Sequence, residues 1–337
     1  MNSVLGEDDL SRSPAWFPLR PAGNGDVDMV HLTEEAYRAI SFLDERILAL
    51  RYAQTTCERS LIEAIAARLA PRAHYVFHTG HVGSTLISRL IGVHRGFFSL
   101  REPKLLRDLA GEAGGGPVTL AATLALLSRT WRAEQRAVIK TTSFVSELAE
   151  LILAGQDRPA AIFMYTSPQN YVRGILGGPN SRVEAKALAP ARLRRLARRL
   201  GTALQPAELE LRSEGEFVAM SWLCEMTALH QAAKRFESQV LWVDFDEFLK
   251  DPKAGLERIF RALGAAPSSN EIETIATSPM MQQYSKAPEH AYDAALRQEV
   301  LQSADWEHGS EIRRGMEWLG AAAGRHALVS DVTASSR

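Results

Sequence analysis

The segment from residue 74 to residue 91 constrains the fold of this chain more than any other. His74 to His78 is a short apolar run rich in strand-forming residues, and Leu86 to Ile91 carries apolar residues at helical spacing. A short loop, Thr79 to Thr85, with glycine at 80 and 83, connects the two. A strand that passes into a helix through so short a loop is typical of a sheet covered by helices.

Three further apolar runs follow at the spacing of an α/β protein. They are residues 137–140, 161–165 and 240–243, each followed by polar or turn residues. Alternating strands and helices predict an α/β fold in three layers, with a parallel sheet flanked by helices. Helical patterns accompany the strands over residues 119–131, 189–200, 214–236 and 252–263.

The rest of the chain is predicted to surround this α/β core, which spans residues 73–265. Residues 1–32 are rich in Gly, Pro, Ser and Asp and are predicted to form an irregular leader. Residues 33–70 are predicted to be a helical segment, residues 266–325 a loop and helices that pack on the core, and residues 326–337 a tail.

Composition excludes several classes of protein. The 337 residues are 46% hydrophobic, which excludes a disordered chain, and 39 basic against 40 acidic residues leave a net charge of −1. We therefore expect no nucleic-acid partner. Two cysteines, Cys57 and Cys224, cannot form a disulfide framework, which favours a reducing cytoplasm. We expect neither a signal peptide nor a membrane span, because no apolar run approaches about 20 residues.

The loop at residues 79–85 has the composition of a phosphate-binding turn. Its glycines allow the backbone to approach an anion, and N–H groups and the helix dipole point at it. Ser84 and Thr85 can add hydroxyl groups in the first helical turn. The loop lacks the lysine of a full Walker A sequence. An ordinary strand–helix turn is the alternative.

The segment YVFHTGHVGSTLISRLI, residues 75–91, resembles the 5′-phosphosulfate-binding loop of the sulfotransferase superfamily. Other segments resemble that family in the order in which the family uses them, and uncharacterised bacterial members are the most similar. The resemblance implies a P-loop, sulfotransferase-like fold and transfer of a sulfuryl group from 3′-phosphoadenosine 5′-phosphosulfate to a hydroxyl or amine. The other segments are residues 99–103, 138–142, 161–173 and 240–264.

The resemblance also implies a donor site, with departures from the family pattern. His81 stands where the family has lysine or arginine, and Thr166 and Gly174 replace the arginine and serine that hold the 3′-phosphate. Arg173, beside Gly174, is a candidate replacement. A second candidate is the later basic loop with Lys286 and His290, although a plain surface loop is equally compatible with that sequence. The residues implied to hold the 5′-phosphosulfate are Gly80, His81, Val82, Gly83, Ser84 and Thr85.

Three side chains are candidates for the chemistry. Glu102 precedes a proline at the predicted ligand-binding edge of the sheet and is a candidate general base. Lys140 ends a predicted strand at that edge, where it and His81 can stabilise charge on the transferred group. The structural alternatives are an ion pair of Glu102 with Arg101 or Arg107, and a lysine in solvent.

Two other groups leave alternatives open. Arg192, Arg195 and Arg199 share one face of a predicted helix, which is either a solvated basic face or a lid over an anion. Asp244 would bind Mg²⁺ if the chain were a P-loop kinase that uses ATP, whereas Asp246 is interpreted as structural.

We expect no protein-bound metal, since the histidines and cysteines form no ligand cluster in the sequence. A second alternative is a non-catalytic protein that keeps the fold, and a third is a protein-interaction role based on the helical ends, for which the sequence offers no positive signal. The sequence specifies neither the acceptor, which is a sugar, lipid, peptide or small metabolite, nor the oligomeric state.

Overall fold

The N-terminal part of the chain forms a small antiparallel sheet. A computed structural model describes residues 6–111, 118–201, 213–283 and 293–335. Helix α1 (Glu7–Ser11) comes first, and strand β1 (Trp16–Pro21) then pairs with β2 (Val27–His31). Helix α2 (Glu34–Ala39) and a 3-10 helix, Glu45–Leu50, lead to β3 (Gln54–Cys57), which pairs with β2 and is followed by α3 (Arg59–Ala66).

The irregular leader predicted over residues 1–32 is therefore wrong for the residues described. The turn Gly23–Gly25 has Asn24 and Gly25 at φ values of 64° and 86°, which suits a tight reversal between two strands. Phe17 and Met29 are fully buried on the sheet. The glycines therefore form a turn in regular structure. The helical segment predicted over residues 33–70 is also wrong in part, because β3 interrupts it.

The predicted parallel sheet is present. Its strand order is β5-β6-β4-β7-β8, and every neighbouring pair is parallel. The central strand β4 therefore has its carboxyl end between those of β6 and β7, the position at which open α/β sheets bind ligands. The strands are β4 (Ala73–His78), β5 (Phe97–Arg101), β6 (Arg136–Lys140), β7 (Ala161–Tyr165) and β8 (Val240–Asp244).

Helices cover both faces of this sheet, which confirms the three-layer α/β prediction. In chain order they are α4 (Ser84–Ile91), α5 (Lys104–Gly111), α6 (Leu120–Leu127), α7 (Ala149–Ala154), α8 (Pro168–Leu176), α9 (Pro179–Leu200), α10 (Glu214–Arg235), α11 (Phe245–Lys250), α12 (Pro252–Ala262), α13 (Ser269–Ala276), α14 (Ala294–Arg325) and α15 (Ala327–Ser335).

The two faces of the sheet have separate cores. Tyr75 and Phe163 pack on one face with the N-terminal elements, α5, α7 and α10. Val76 and Ile162 pack on the other face with α4, α12 and α13. The side chains of a buried strand alternate between the two faces of the sheet. An unbroken run of apolar residues along a strand therefore fills both cores.

The C-terminal helices form a third core beside the sheet. Helices α14 and α15 pack with α8, α9 and α10 around the fully buried Trp222. The predicted tail over residues 326–337 is wrong where the structure describes it, since Val329 and Val332 of α15 are buried. Within the residues described, no helix combines the length and apolar character needed to cross a membrane. The predicted domain limits at 73 and 265 stay a prediction.

Candidate functional site

The loop after β4 has a backbone conformation that requires glycine. Gly80, His81 and Gly83 have φ values of 103°, 54° and 63°. A Cβ atom at position 83 would lie 2.0 Å from Cε2 of Phe245, the first residue of α11. Glycine at 83 therefore serves both the left-handed backbone and the close approach of the Phe245 ring.

This loop presents hydrogen-bond donors at the start of α4. The Ile87 N–H donates to the Gly83 carbonyl at 3.1 Å, so the N–H groups of the preceding helical turn have no acceptor within the helix. Thr85 is buried, and its Oγ1 has no hydrogen-bond partner among the residues described. Buried polar groups normally have partners. Donors without acceptors at a positive helix end form a site for an anion.

A cavity of about 210 Å³ opens directly over these donors. The loop of residues 79–85, called the phosphate loop after its predicted role, forms one end of the cavity, and Thr85 is part of the cavity's lining. Other walls come from α8, with Gly174, from the start of α9, with Ser181, and from the start of α14, with Arg297. Of the implied loop residues, His81, Val82, Gly83, Ser84 and Thr85 line this cavity.

Arg297 was not identified from the sequence, although it is the cavity's buried cation. Its Nε donates to Oδ1 of Asp246 at 2.6 Å, and its guanidinium lies 4.9 Å from the centre of the Phe245 ring. Asp246 also accepts hydrogen bonds from Thr166 Oγ1 and, at 3.0 Å, from Asn170 Nδ2. The sequence signal was available, because Asp293 caps α14 and so places Arg297 in its first turns.

The pKa of Asp246 is lowered by these contacts. Burial alone raises the pKa of the carboxyl, but the hydrogen bond and charge of Arg297, with the hydrogen bonds of Thr166 and Asn170, outweigh burial. Asp246 therefore holds α8, α11 and α14 together as an ionised carboxylate, in agreement with the structural role interpreted from the sequence.

The two candidate contacts for the 3′-phosphate have different positions. Arg173 donates to Asp305 at 2.8 Å and to Asn170 at 3.1 Å, outside the lining of the cavity. Lys286 and His290 lie outside the described residues. The structure thus describes Arg297, rather than Arg173, at the cavity wall.

Glu102 and Lys140 form an ion pair at the carboxyl edge of the sheet. Lys140 ends β6 and is buried, and its Nζ donates to Glu102 Oε1. Glu102 has a φ of 53°, and its N–H donates to the Lys140 carbonyl at 2.6 Å. Neither structural alternative holds, since the partner of Glu102 is Lys140 and Lys140 is not in solvent.

The pair is linked to the base of the phosphate loop without lining its cavity. Thr141, next to Lys140, donates its N–H to the Val76 carbonyl at 3.0 Å. The Thr141 carbonyl lies 2.8 Å from Nε2 of His78, the last residue of β4. The structure therefore brings Glu102 and Lys140 together and connects them to the loop through the backbone of β6.

The arginine face of α9 is buried, so both a solvated face and a lid are wrong. Arg192 pairs with the buried Glu225 at 2.8 Å and reaches Ser143 Oγ at 3.3 Å. Arg195 donates to the Phe144 carbonyl at 2.8 Å, and Arg199 donates to the Cys224 carbonyl at 3.0 Å. The guanidinium groups face inward because buried acceptors on α10 and on residues 143–148 satisfy them.

This buried network reaches the phosphate loop from behind. A Cβ atom at Gly80 would lie 3.7 Å from Ser143 Oγ and 3.7 Å from the Tyr171 hydroxyl. Sequence reasoning missed Ser143 and Tyr171, because nothing in the sequence relates them to a loop so distant along the chain. Since these distances are ordinary van der Waals separations, the positive φ rather than a lack of space favours glycine at position 80.

Comparisons with known proteins give structural likeness only. No family model and no curated protein matches the chain. The sulfotransferase domain from the curacin biosynthetic pathway is 13% identical, with a TM-score of 0.43, over 75% of this chain and 98% of that domain.

Two other solved structures are similar to the chain. Mouse sulfotransferase SULT7A1, complexed with PAP, is 16% identical, with a TM-score of 0.44, over 80% of this chain and 91% of that one. Sulfotransferase STF9 from Mycobacterium avium is 13% identical, with a TM-score of 0.38, over 72% of this chain and 80% of that one. The predicted α/β fold, with a parallel sheet flanked by helices, is the one described above.

Proposed function

We propose that the chain is a sulfotransferase-like enzyme that moves a sulfuryl group from 3′-phosphoadenosine 5′-phosphosulfate to a hydroxyl or amine. One observation carries the proposal. The buried Thr85 hydroxyl, which has no partner among the described residues, and the first turn of α4 meet at one end of a cavity. A phosphosulfate group satisfies these donors, as an anion at a helix start does.

The proposed reaction is a direct transfer. The backbone of residues 80–85 holds the 5′-phosphosulfate, and the acceptor oxygen or nitrogen forms a bond to sulfur. The bond from sulfur to the bridging oxygen breaks, and that oxygen leaves with the electron pair on 3′-phosphoadenosine 5′-phosphate. Glu102 takes the acceptor proton, and His81 and Lys140 stabilise the negative charge that develops. Such chemistry depends on positioning and electrostatics.

The ion pair of Glu102 with Lys140 supports these two roles. The pair places a carboxylate and an ammonium group in contact at the carboxyl edge of the sheet. Lys140 is buried, so its charge acts through little solvent and has a long reach. When substrates bind, the ammonium group of Lys140 must therefore interact with both Glu102 and the transferred group.

We further propose that Arg297 contributes positive charge toward the 3′-phosphate of the donor. Lys286 and Arg173, the candidate contacts predicted from the sequence, remain proposed contacts of the same phosphate. Arg297 lines the cavity from α14, and Gly174 leaves open space in the wall, since nothing lies within 4 Å of a Cβ built there. This assignment replaces the arginine and serine that the family would have at Thr166 and Gly174.

Two contacts disfavour the kinase alternative. Asp244, the candidate magnesium ligand, accepts hydrogen bonds from the N–H groups of Asp246 and Glu247, at 2.8 and 3.1 Å, and caps α11. The loop also lacks the lysine that a Walker A sequence directs at phosphates. Metal-dependent binding of ATP remains the result that would favour a kinase.

Calorimetric titration tests the proposal, with 3′-phosphoadenosine 5′-phosphate beside ADP and ATP, each with and without Mg²⁺. We expect metal-independent binding that prefers the 3′-phosphorylated nucleotide. Preference for ATP with Mg²⁺ would favour the kinase, and binding without turnover in an acceptor screen would favour a non-catalytic protein. Failure of every nucleotide to bind would reject the proposal.

A matched pair of variants locates the binding. Thr85→Val removes the hydroxyl at the cavity, and Thr123→Val removes a second buried hydroxyl without a described partner, on α6. We expect Thr85→Val to weaken nucleotide binding about tenfold to a hundredfold, the loss of one hydrogen bond to a charged group. Thr123→Val should leave it unchanged, and equal affinity of both variants would contradict the assignment.

A further inference from the structure

A row of arginines lies at the other, amino-terminal edge of the parallel sheet. Arg136 begins β6, and Arg72 immediately precedes β4. Ala73 and Ala137 are in register, so Arg72 and Arg136 stand opposite each other on strands about 4.8 Å apart. Tyr75 is in register with Ala161, which puts Arg158 at the same level, just before β7.

All three arginines line one open groove, whose volume is about 1060 Å³. His74 and His94 belong to the same lining, and Glu134 is the carboxylate among the lining residues. The groove also has apolar walls, from Phe97, Pro159 and Leu241. It therefore combines a cationic floor with an apolar side, on the edge of the sheet opposite the phosphate loop.

The arginines of this row have no ion pair within the part of the chain that the structure describes. The Nε of Arg136 is buried and has no hydrogen-bond acceptor among those residues. Neighbouring Arg132, by contrast, pairs with Glu34 at 2.9 Å. Glu134 and Asp157 are close in sequence, yet neither forms a salt bridge with the row.

The groove has a positive local field. Burial and then the charge of Arg72 lower the pKa of Arg136. Burial and then the charge of Arg136 lower the pKa of His74 to about 3. His74 is therefore neutral, and its Nδ1 accepts the Ala160 N–H at 2.9 Å. Like charges that face each other across a sheet are destabilising, and a bound anion would remove that cost.

We propose that this groove binds the anionic head of a phosphate or sulfate ester, held by Arg72 and Arg136, with Arg158 at its rim. Guanidinium groups match the oxygens of such a head in pairs, with two hydrogen bonds from one plane. The apolar wall takes the organic part of the ester. The site is independent of the proposed transfer reaction, because no residue of the row contributes to the phosphate-loop cavity.

Modification of arginines by phenylglyoxal, followed residue by residue with peptide mass spectrometry, tests the proposal on the full chain. The probes are phenyl phosphate and inorganic phosphate, with sodium chloride at equal ionic strength. We expect phenyl phosphate to slow modification of Arg72 and Arg136 at least fivefold and to leave the exposed Arg313 of α14 unchanged. Equal slowing at Arg313, or none at the row, would overturn the site.

The two probes also separate the sources of the anion. Protection by phenyl phosphate at a tenfold lower concentration than inorganic phosphate supports an ester as ligand. Equal protection by both overturns the ester and leaves a site for free phosphate. Binding at the phosphate loop cannot imitate this result, since Thr85→Val should keep the protection of Arg72 and Arg136.

A variant pair provides the second measurement. Arg136→Gln should abolish the rise in melting temperature that phenyl phosphate produces in the Thr85→Val background, whereas Arg313→Gln should keep it. Because Gln lacks the charge and the fork of Arg and has a shorter side chain, a folded Arg136→Gln protein that still responds fully would contradict the proposal.

Discussion

The cationic side chains at the two edges of the parallel sheet differ in whether they have carboxylate partners. At the carboxyl edge three buried cations each pair with a carboxylate: Arg297 pairs with Asp246, Arg192 with Glu225, and Lys140 with Glu102. At the amino edge, Arg72, Arg136 and Arg158 line a groove without such partners among the residues described.

The difference shows two ways of preparing for an anion. At the carboxyl edge, residues of the first turn of α4, whose backbone N–H groups have no acceptor within the helix, line the cavity, and the ion pairs hold the surrounding elements in place. This arrangement suits a ligand whose reacting atoms must be oriented. At the amino edge, arginine side chains without a described carboxylate partner carry the positive charge. Their long side chains fix the direction of that charge only loosely, which suits binding without catalysis.

The largest effect should come from breaking the pair behind the loop. Arg192→Met leaves Glu225 buried without its cation, and we expect a loss of about 3–5 kcal/mol in the free energy of unfolding. Urea denaturation measures it. The matched control is Arg235→Met, whose exposed pair with Glu150 should cost less than about 1 kcal/mol. Similar losses in both variants would show that the buried pair does not organise this edge.

A second variant strains the loop itself. Gly83→Ala places a Cβ atom 2.0 Å from the Phe245 ring and at positive φ, and we expect a loss of about 3 kcal/mol. Gly320→Ala, on the open side of α14, should instead be neutral or stabilising by up to about 1 kcal/mol. The free energy of unfolding is the measurement, and Gly83→Ala/Phe245→Leu should recover part of the loss. An unaffected Gly83→Ala protein would remove the steric explanation.

The ion pair of Asp246 with Arg297 should make the stability of the carboxyl edge depend on pH. Because the pKa of Asp246 is lowered in the folded state, its contribution is complete above the unfolded pKa, at about 3.9. It is lost as the pH falls through the lower folded value. We expect Asp246→Asn to cost about 2 kcal/mol at pH 7 and progressively less below pH 4.

Urea denaturation from pH 7 to pH 3 checks this expectation. Asp331→Asn removes an exposed carboxylate that pairs with Lys234 and serves as the control, with a nearly constant small difference from the unmodified protein. A difference for Asp246→Asn that grew toward acid pH would have the wrong sign for a lowered pKa.

The smallest effect belongs to the amino edge and has the opposite sign. Arg136→Gln removes one of two like charges that face each other, so without added anion the protein should gain about 0.5 kcal/mol. The same change at Arg132, which has a carboxylate partner, should not stabilise the protein. Precise thermal unfolding in chloride buffer is the measurement. A destabilised Arg136→Gln protein would mean that Arg136 supports the sheet.

The strands and the phosphate loop were predictable because their signals are local. The continuous apolar runs at 161–165 and 240–243 can be buried only in a sheet covered on both faces, and the structure has both as parallel strands. Gly80 and Gly83 likewise mark a turn by themselves. The reason for glycine at 83, the Phe245 ring, lies far along the chain and is absent from the local pattern.

The remaining features depend on partners that sequence distance hides. Arg192 has the helical spacing of a surface arginine, and only Glu225 on another helix makes it an interior residue. Glu102 and Lys140 were both selected as candidates, whereas their pairing follows from the register of β5 with β6. The roles of the candidate residues in binding and transfer remain predictions.

The cavity has a consequence for synthesis of the chain. Its lining extends from His78 to Leu301, so the phosphate loop leaves the ribosome long before the walls that complete its cavity. At a synthesis rate of about 5–20 residues per second, the start of α14 is made at least about ten seconds after the loop. During that interval a nascent chain contains the residues of the strand and loop but lacks the walls that complete the cavity. The proposed binding therefore requires a chain synthesised past Arg297, and chains truncated before Arg297 should fail to bind a nucleotide even when their sheet has formed.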